Sequence, residues 1–151
     1  MAQSLSHILI HVIFSTKDRT PFIKSDIKSQ LHAYLASTCR NLKCECFRVG
    51  GVENHVHLAL ELPRTFTLSK LLETLKSSSS EWLKSQSPEL NEFAWQGGYG
   101  AFSFSFSHLN ALCSYIDQQE EHHKKVTFQE EYLNLLEKLN IEYDPQYIWT
   151  P

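Results

Sequence analysis

Two histidines stand two residues apart in an otherwise apolar run, GGVENHVHLALEL, at residues 50–62. Valine and leucine are buried at no polar cost, whereas each imidazole carries ring nitrogens that need a partner. If the run forms a strand, His55 and His57 point to the same face about 7 Å apart, so both could ligate one divalent ion. The spacing alone equally fits two surface histidines on a half-exposed strand.

A tyrosine and a glutamine four residues apart form a second candidate, in the segment HLNALCSYIDQQEEHHKK. In a helix, Tyr115 and Gln119 lie together on a flank of the apolar stripe, with His122 about one turn further on. A tyrosine beside an amide that can bind a metal is what a phosphotyrosine-forming nucleophile needs. The alternative is a half-buried tyrosine beside solvated glutamines. The apolar stripe consists of Leu109, Leu112 and Ile116.

The elements that must position these residues follow from the hydrophobic periodicity. Ser25 with Asp26 is the expected cap of the first helix, and Thr127 with Glu130 has the spacing of a capping box. The glycine pair at 50–51 is the expected turn between the second and third strands. The predicted elements are strands at 6–15, 43–49, 52–62 and 100–107, and helices at 27–42, 68–83, 108–123 and 128–139.

The order βαββαβ predicts an α+β fold, a ferredoxin-like sandwich with an antiparallel sheet, two helices on one sheet face and additional C-terminal helices. We expect one domain over residues 1–151, with a core at 5–125 and a C-terminal helix and tail at 126–151. The other face of the sheet is expected to be open. Because the even positions of the third strand are the apolar ones, His55 and His57 are expected on that open face.

The amino-acid composition and net charge limit the kinds of partner that the chain can bind. The chain has 151 residues, of which 42% are hydrophobic, and a net charge of -3. This charge argues against a general nucleic-acid coat, so a nucleic-acid partner must meet a local basic patch. Since no run approaches the about 20 apolar residues of a membrane span and no signal peptide is recognised, we expect a cytoplasmic protein without a membrane partner. Candidate DNA-binding residues are Lys17, Arg19, Arg48, Lys124 and Lys125, although each basic cluster also fits a solvated surface.

Four stretches together resemble a known family: GGVENHVHLALELP, SKLLETLKSSSSEWL, WQGGYGAFSFS and YIDQQEEHHKK. With a His-hydrophobic-His core and this order, the chain resembles the HUH-superfamily single-tyrosine transposases of the IS200-like class. It is especially similar to the relatives associated with repetitive extragenic palindromes (REP). The resemblance extends from HVIFSTKDR to EYDPQYIW, which is nearly the whole chain.

The resemblance implies a metal-dependent transposase that nicks and rejoins single-stranded DNA, often recognising a hairpin near the cleavage site. It places the HUH pair on His55 and His57, the third metal ligand on Gln119 and the catalytic nucleophile on Tyr115. The tyrosine would form a 5′-phosphotyrosine and leave a free 3′-hydroxyl. Asn54 departs from the aspartate that is frequent before the first histidine, which concerns the tuning of the ligand and not ligation itself.

The implied cofactor is Mg²⁺ or Mn²⁺, and Mn²⁺ is better suited to nitrogen ligands. The family also implies a homodimer, in which the tyrosine helix of one subunit could complete the metal site of the other. Whether the site assembles within one chain or between two stays open at the level of sequence.

Two other functions also stay open. The same sheet could be a single-stranded nucleic-acid binding module without nicking activity, in which Phe47, Trp95 or Tyr99 stacks on bases. A metal-dependent hydrolase of small phosphoesters would not need Tyr115. The joint presence of the two histidines, the tyrosine and the glutamine favours the transposase, because a pure binding module does not need all four.

Overall fold

Residues 2–151 are described by a computed structural model, in which four strands form one antiparallel sheet. The strands are β1 (Leu9–Ser15), β2 (Cys46–Val52), β3 (His55–Glu61) and β4 (Gly100–Ser103). The helices are α1 (Ser25–Asn41), α2 (Leu68–Gln86), α3 (Leu109–Asp117), α4 (Gln119–His122) and α5 (Phe128–Lys138). The sheet order β2-β3-β1-β4 and the element order confirm the predicted α+β, ferredoxin-like arrangement.

The main core lies between the sheet and helices α1 and α2. Val12 of β1 and Leu58 of β3 are fully buried there, as the even-position pattern predicts. The helices supply apolar side chains at helical spacing, so that one stripe of each helix faces the sheet. These side chains are Ile27, Leu31, Leu35, Leu71, Leu72, Leu75 and Leu83. Among the described residues, no helix is long and apolar enough to span a membrane.

The opposite face of the sheet is covered, and the expectation that it is open is wrong. His55 and His57 lie on this face as predicted, but both are 0% exposed. Helix α3 packs against β2 and β3, while α5 and the C-terminal tail close over β1 and β4. The physical reason is that this face of the sheet also carries apolar side chains, whose contact with water is unfavourable unless other elements pack over them. The second cluster contains Ile13, Phe102, Phe128 and Leu136, with Ile148 and Trp149 of the tail packed against it.

Several predicted boundaries are shifted. Strand β2 continues through the glycine pair, and the tight turn falls at 53–54, because Val52 pairs directly with His55. The last strand ends at Ser103, earlier than its phenylalanine alternation indicates. The predicted helix 108–123 is interrupted at Gln118, which separates α3 from α4. Ser25 is the first residue of α1 and makes no cap, whereas the capping box of Thr127 and Glu130 is confirmed.

Gly50 is a position where α3 approaches the sheet closely. A Cβ at this residue would lie 2.6 Å from Cγ2 of Ile116 and 2.7 Å from the backbone oxygen of Ile116. Gly50 also pairs directly with His57 on β3. The missing side chain therefore lets the helix that carries Tyr115 lie against the strand beside the histidines.

We expect Gly50→Ala to destabilise the fold by about 1–3 kcal/mol, the usual cost of overpacking. The contact is with backbone, so the added methyl group can be accommodated only if the whole of α3 moves. Urea unfolding monitored by circular dichroism measures the change. Ser103→Ala, at the exposed end of β4, is the control and should change the free energy of unfolding by less than about 0.5 kcal/mol. Equal stability of Gly50→Ala and wild type would show that α3 is not held at this distance.

Candidate active site

Side chains from four elements meet in the covered face of the sheet. His55 and His57 come from β3, Tyr115 from α3, Gln119 from α4 and Glu131 from α5. Four of the five are buried, and Tyr115 is partly exposed. The four residues predicted as metal ligands and nucleophile are thus neighbours within a single chain.

His55 is fixed at both ring nitrogens. Its Nδ1 lies 2.8 Å from Oδ1 of Asn54, which accepts a hydrogen bond, and its Nε2 lies 2.9 Å from Oε1 of Gln119. Burial lowers the pKa of His55 to about 4, although hydrogen bonding with Glu131 acts in the opposite direction. The ring is therefore neutral at pH 7, and its single hydrogen lies either on Nδ1, toward Asn54, or on Nε2, toward Gln119 and Glu131. Asn54 performs the orienting role that a carboxylate could also perform.

His57 is oriented by a histidine of the neighbouring strand. Nδ1 of His57 lies 2.8 Å from Nε2 of His11, so the two rings share one hydrogen, and their centroids are 5.1 Å apart. Burial, and next the charge of His57, lower the pKa of His11 to about 3. A neutral His11 can accept the hydrogen of His57, which leaves Nε2 of His57 facing Glu131 at 3.3 Å.

Glu131 places one carboxylate oxygen among three imidazoles. Its Oε1 lies 3.3 Å from Nε2 of His55, 3.3 Å from Nε2 of His57 and 3.0 Å from Nε2 of His123. Burial alone raises the pKa of this carboxyl group, but the hydrogen bonds with His123, His55 and His57 outweigh burial and hold the pKa below its usual range. Glu131 is therefore ionised, at a position that is only 4% exposed.

The second carboxylate oxygen reaches the tyrosine. Oε2 of Glu131 accepts a hydrogen bond from the Tyr115 hydroxyl and another, at 3.0 Å, from Nε2 of Gln119. Burial, and then the contact with Glu131, raise the pKa of Tyr115 above its ordinary value. Beside the phenol ring lies a cavity of about 400 Å³, lined among others by His11, His122 and Lys138. This cavity gives a ligand access to the partly exposed phenol.

The predicted DNA-binding residues fall in different places. Lys124 and Lys125 line a groove beside His123, together with Arg19. The Arg19 guanidinium also lies 5.2 Å from the ring centre of Trp149 in the tail, so it is partly engaged. The remaining two lie apart from this groove lining, since Arg48 pairs with Asp117 at 3.5 Å and Lys17 opens the short turn Lys17–Arg19.

Sequence reasoning missed three residues of the cluster: Glu131, His123 and His11. Glu131 falls on the apolar stripe of α5, between Phe128 and Leu135, and a charged residue on an apolar stripe is the signal that could have identified it. The doubled histidine at 122–123 was visible but had no predicted partner. His11 could have been found only from the strand pairing, which places it beside the β3 histidines.

The sequence profile of the family described as transposase IS200 like matches residues 4–119. A candidate transposase from Deinococcus radiodurans R1 has a similar structure, with 19% identity and a TM-score of 0.61, over 79% of this chain and 98% of that one. A REP-associated tyrosine transposase bound to a REP hairpin is similar with 14% identity and a TM-score of 0.60, over 83% of this chain and 76% of that one. At these identities the two structures show the fold alone. No curated protein sequence matches the chain.

We expect the metal-free protein to lose stability as the pH falls from about 6.5 toward about 4. The pKa values of His11 (about 3) and His55 (about 4) lie below the unfolded value of 6.5, so the unfolded chain takes up protons first. His32, with a pKa lowered to about 4 by burial, adds to the slope. His123 opposes it, because its pKa is raised: hydrogen bonding with Glu131 outweighs burial.

Urea unfolding in EDTA across this pH range measures the effect. His11→Gln should make the dependence shallower, because the glutamine cannot take up a proton in either state. His7→Gln, at an exposed position before β1, is the matched control and should leave the dependence unchanged. A flat profile for the wild-type protein would show that the buried histidines are not neutral.

Proposed function

The chain belongs to the IS200-like transposase family, and we propose that it nicks and rejoins single-stranded DNA through a 5′-phosphotyrosine on Tyr115. The observation that carries the proposal is the convergence of Tyr115 with His55, His57 and Gln119 in one chain. A tyrosine hydroxyl beside nitrogen and oxygen donors fits phosphoryl transfer, in which a nucleophile and charge stabilisation must be adjacent.

The donor atoms fit a divalent cation, Mg²⁺ or Mn²⁺. Nε2 of His55 and Oε1 of Gln119 lie 2.9 Å apart, which is also the separation expected of two neighbouring ligands of one ion. The orientation of the Gln119 amide is fixed by its nitrogen, because Nε2 of Gln119 donates a hydrogen bond to Glu131. We propose His55, His57 and Gln119 as ligands. The bound ion would neutralise charge on a non-bridging phosphate oxygen.

In the proposed step, the Tyr115 oxygen forms a bond to the scissile phosphorus while the bond from phosphorus to the 3′-oxygen breaks. The proton of the phenol is balanced by the proton that the departing 3′-oxygen takes up. The products are a 5′-phosphotyrosine and a 3′-hydroxyl. Because the phosphotyrosine keeps the energy of a phosphodiester, a 3′-hydroxyl can attack it and restore the tyrosine, which joins strands without another energy source.

The substrate we propose is a hairpin with a single-stranded flank. One structural neighbour is a REP-associated tyrosine transposase bound to a REP hairpin, which supports this choice. The groove with Arg19, Lys124 and Lys125 offers phosphate contacts beside His123. Because the metal-binding donors are buried, the scissile phosphate must reach them from the side of Tyr115, and a flexible strand fits there better than a duplex.

The competing function, a module that only binds single strands, has less support. Trp95 packs against the main core and its indole N–H donates to Ser79, so it is not a free stacking platform.

A two-fold homodimer and a cytoplasmic location remain predictions. Ile148 and Trp149 of the tail pack within their own chain, so the outer strands β2 and β4 are the candidate surfaces for a dimer.

We expect a cognate single strand to form a covalent adduct with wild-type protein and none with Tyr115→Phe. The variant loses only a hydroxyl, so its affinity for the strand should change by less than about threefold. A strand labelled at its 3′ end should stay attached to the protein in a denaturing gel, whereas a 5′ label should leave as a free fragment. Tyr99→Phe, at a partly exposed tyrosine outside the cluster, is the control. An adduct on Tyr115→Phe would exclude Tyr115 as the nucleophile.

We also expect cleavage to depend on the form of the DNA. A hairpin with a single-stranded flank should be nicked in the flank, while the same sequence in a perfect duplex is bound weakly and stays intact. With a net charge of -3 the protein cannot rely on diffuse attraction to a duplex. Both forms and a scrambled strand are compared at one salt concentration. Equal cleavage of the duplex would indicate a nonspecific phosphodiesterase.

A further inference from the structure

The family profile ends at residue 119, and two acidic or imidazole groups beyond it point into the same cluster. Glu131 lies on α5 and His123 follows α4. Neither residue was found from the sequence, and neither falls within the region that the family match covers. Their contacts show which atoms they add to the donor set of the proposed metal site.

His123 directs one ring nitrogen into the cluster. Its Nδ1 lies 2.8 Å from the backbone oxygen of Val126 and carries a hydrogen, so Nε2 is the nitrogen that faces the other ligands. Its Nε2 then faces Oε1 of Gln119 at 3.0 Å and Oε1 of Glu131 at 3.0 Å. Both partners are acceptors, so these contacts need either a hydrogen on Nε2 of His123 or a cation among the three atoms.

A similar arrangement surrounds Oε1 of Glu131. Three Nε2 atoms, from His55, His57 and His123, surround this one oxygen at 3.0–3.3 Å. Donor atoms that share a six-coordinate ion at about 2.1 Å lie about 3 Å from one another, which is the spacing seen here. The possible ligand atoms form two adjoining groups, His55, His57 and Glu131 and then His122, His123 and Glu131, which share the Glu131 carboxylate.

We propose that Glu131 and His123 are further ligands of the divalent cation, and that Glu131 links the ion to the nucleophile. Oε1 binds the ion, while Oε2 accepts the hydrogen bond of the Tyr115 hydroxyl and holds the phenol oxygen beside the metal. This inference rests on the proposed function, because it assigns two more residues to the same site. The chain thus completes the site within itself, from a segment outside the matched family region.

The added ligands change the chemistry of the site. Two imidazoles and an amide are neutral and leave the charge of the ion uncompensated, whereas the carboxylate of Glu131 removes one unit of it. The third imidazole makes the set rich in nitrogen, which favours Mn²⁺ over Mg²⁺, since Mg²⁺ prefers oxygen ligands and retains water. Tight binding and a preference for Mn²⁺ both follow from Glu131 and His123 together.

The test measures binding of Mn²⁺ alone to the full-length protein, by calorimetry and by the loss of the free Mn²⁺ signal in electron paramagnetic resonance. We expect Glu131→Gln, which keeps the shape and removes the charge, to weaken Mn²⁺ affinity at least about tenfold. Glu137→Gln is the matched control, because this carboxylate is exposed and lies further along the same helix. It should bind as wild type does. His123→Gln, at a less buried position, should also bind Mn²⁺ more weakly and relax the preference over Mg²⁺.

The outcomes separate this inference from the proposed function. Unchanged Mn²⁺ affinity in both Glu131→Gln and His123→Gln, with binding lost in His57→Gln, would overturn the inference and keep the histidine pair as ligands. Wild-type protein that binds no Mn²⁺ would overturn both. Circular dichroism of the metal-free variants verifies the fold, and His123→Gln remains a test if Glu131→Gln does not fold.

The link to the nucleophile has its own measurement. At Mn²⁺ concentrations that saturate both proteins, Glu131→Gln should form the covalent adduct at least about tenfold more slowly than wild type, with unchanged affinity for the DNA strand. A ligand-only role would leave the adduct rate at saturating metal equal to that of wild type. Equal rates would therefore overturn the positioning role of Glu131 and leave its role as a ligand.

Discussion

A buried carboxylate is the constraint on which the site depends. Removing an ionised side chain from water costs several kcal/mol unless other groups replace the lost hydration. Glu131 is 4% exposed, so both of its oxygens must be satisfied by the protein or by a cation. On the Oε2 side the tyrosine hydroxyl and the Gln119 amide donate hydrogen bonds, whereas on the Oε1 side ring nitrogens of three histidines lie at 3.0–3.3 Å. Oε2 is therefore satisfied by two donors, while Oε1 needs hydrogens on these nitrogens or a cation among them.

The fold supplies this arrangement by covering a sheet face that a minimal sandwich leaves exposed. Helix α5 starts at the capping box of Thr127 and Glu130, which fixes the position of its first turn. The ring centres of Phe128 and His55 lie 4.4 Å apart, and Glu131 follows Phe128 by about one helical turn. The C-terminal tail holds the other side of α5, since Trp149 packs near Phe128 and its backbone oxygen accepts from Gln96. Burial of apolar side chains therefore sets the distance between carboxylate and histidines.

Local pattern was enough to predict the sheet and the placement of the histidine pair. Strict alternation in β3 assigned His55 and His57 to the face opposite Leu58, because the period of a strand leaves no other choice. The same pattern could not reveal that this face is covered, because the cover comes from α5 and the tail, far along the chain. The wrong position of the turn has a similar origin. Gly50 looks like a turn residue locally, but it is glycine because Ile116 of a distant helix packs against it.

The predicted nucleophile helix also shows why spacing and geometry differ. Tyr115 and Gln119 were placed together because residues four apart share a helix face, yet the helix breaks at Gln118 and α4 begins there. The two side chains nevertheless meet, since both donate to the same oxygen of Glu131. The contact between them is thus made through a residue that no local pattern connects to either. Sequence motifs can identify the histidines, the tyrosine and the glutamine of this site. The carboxylate that contacts all of them comes from a later helix, so its role becomes visible only when the strands, the helices and the tail are packed together.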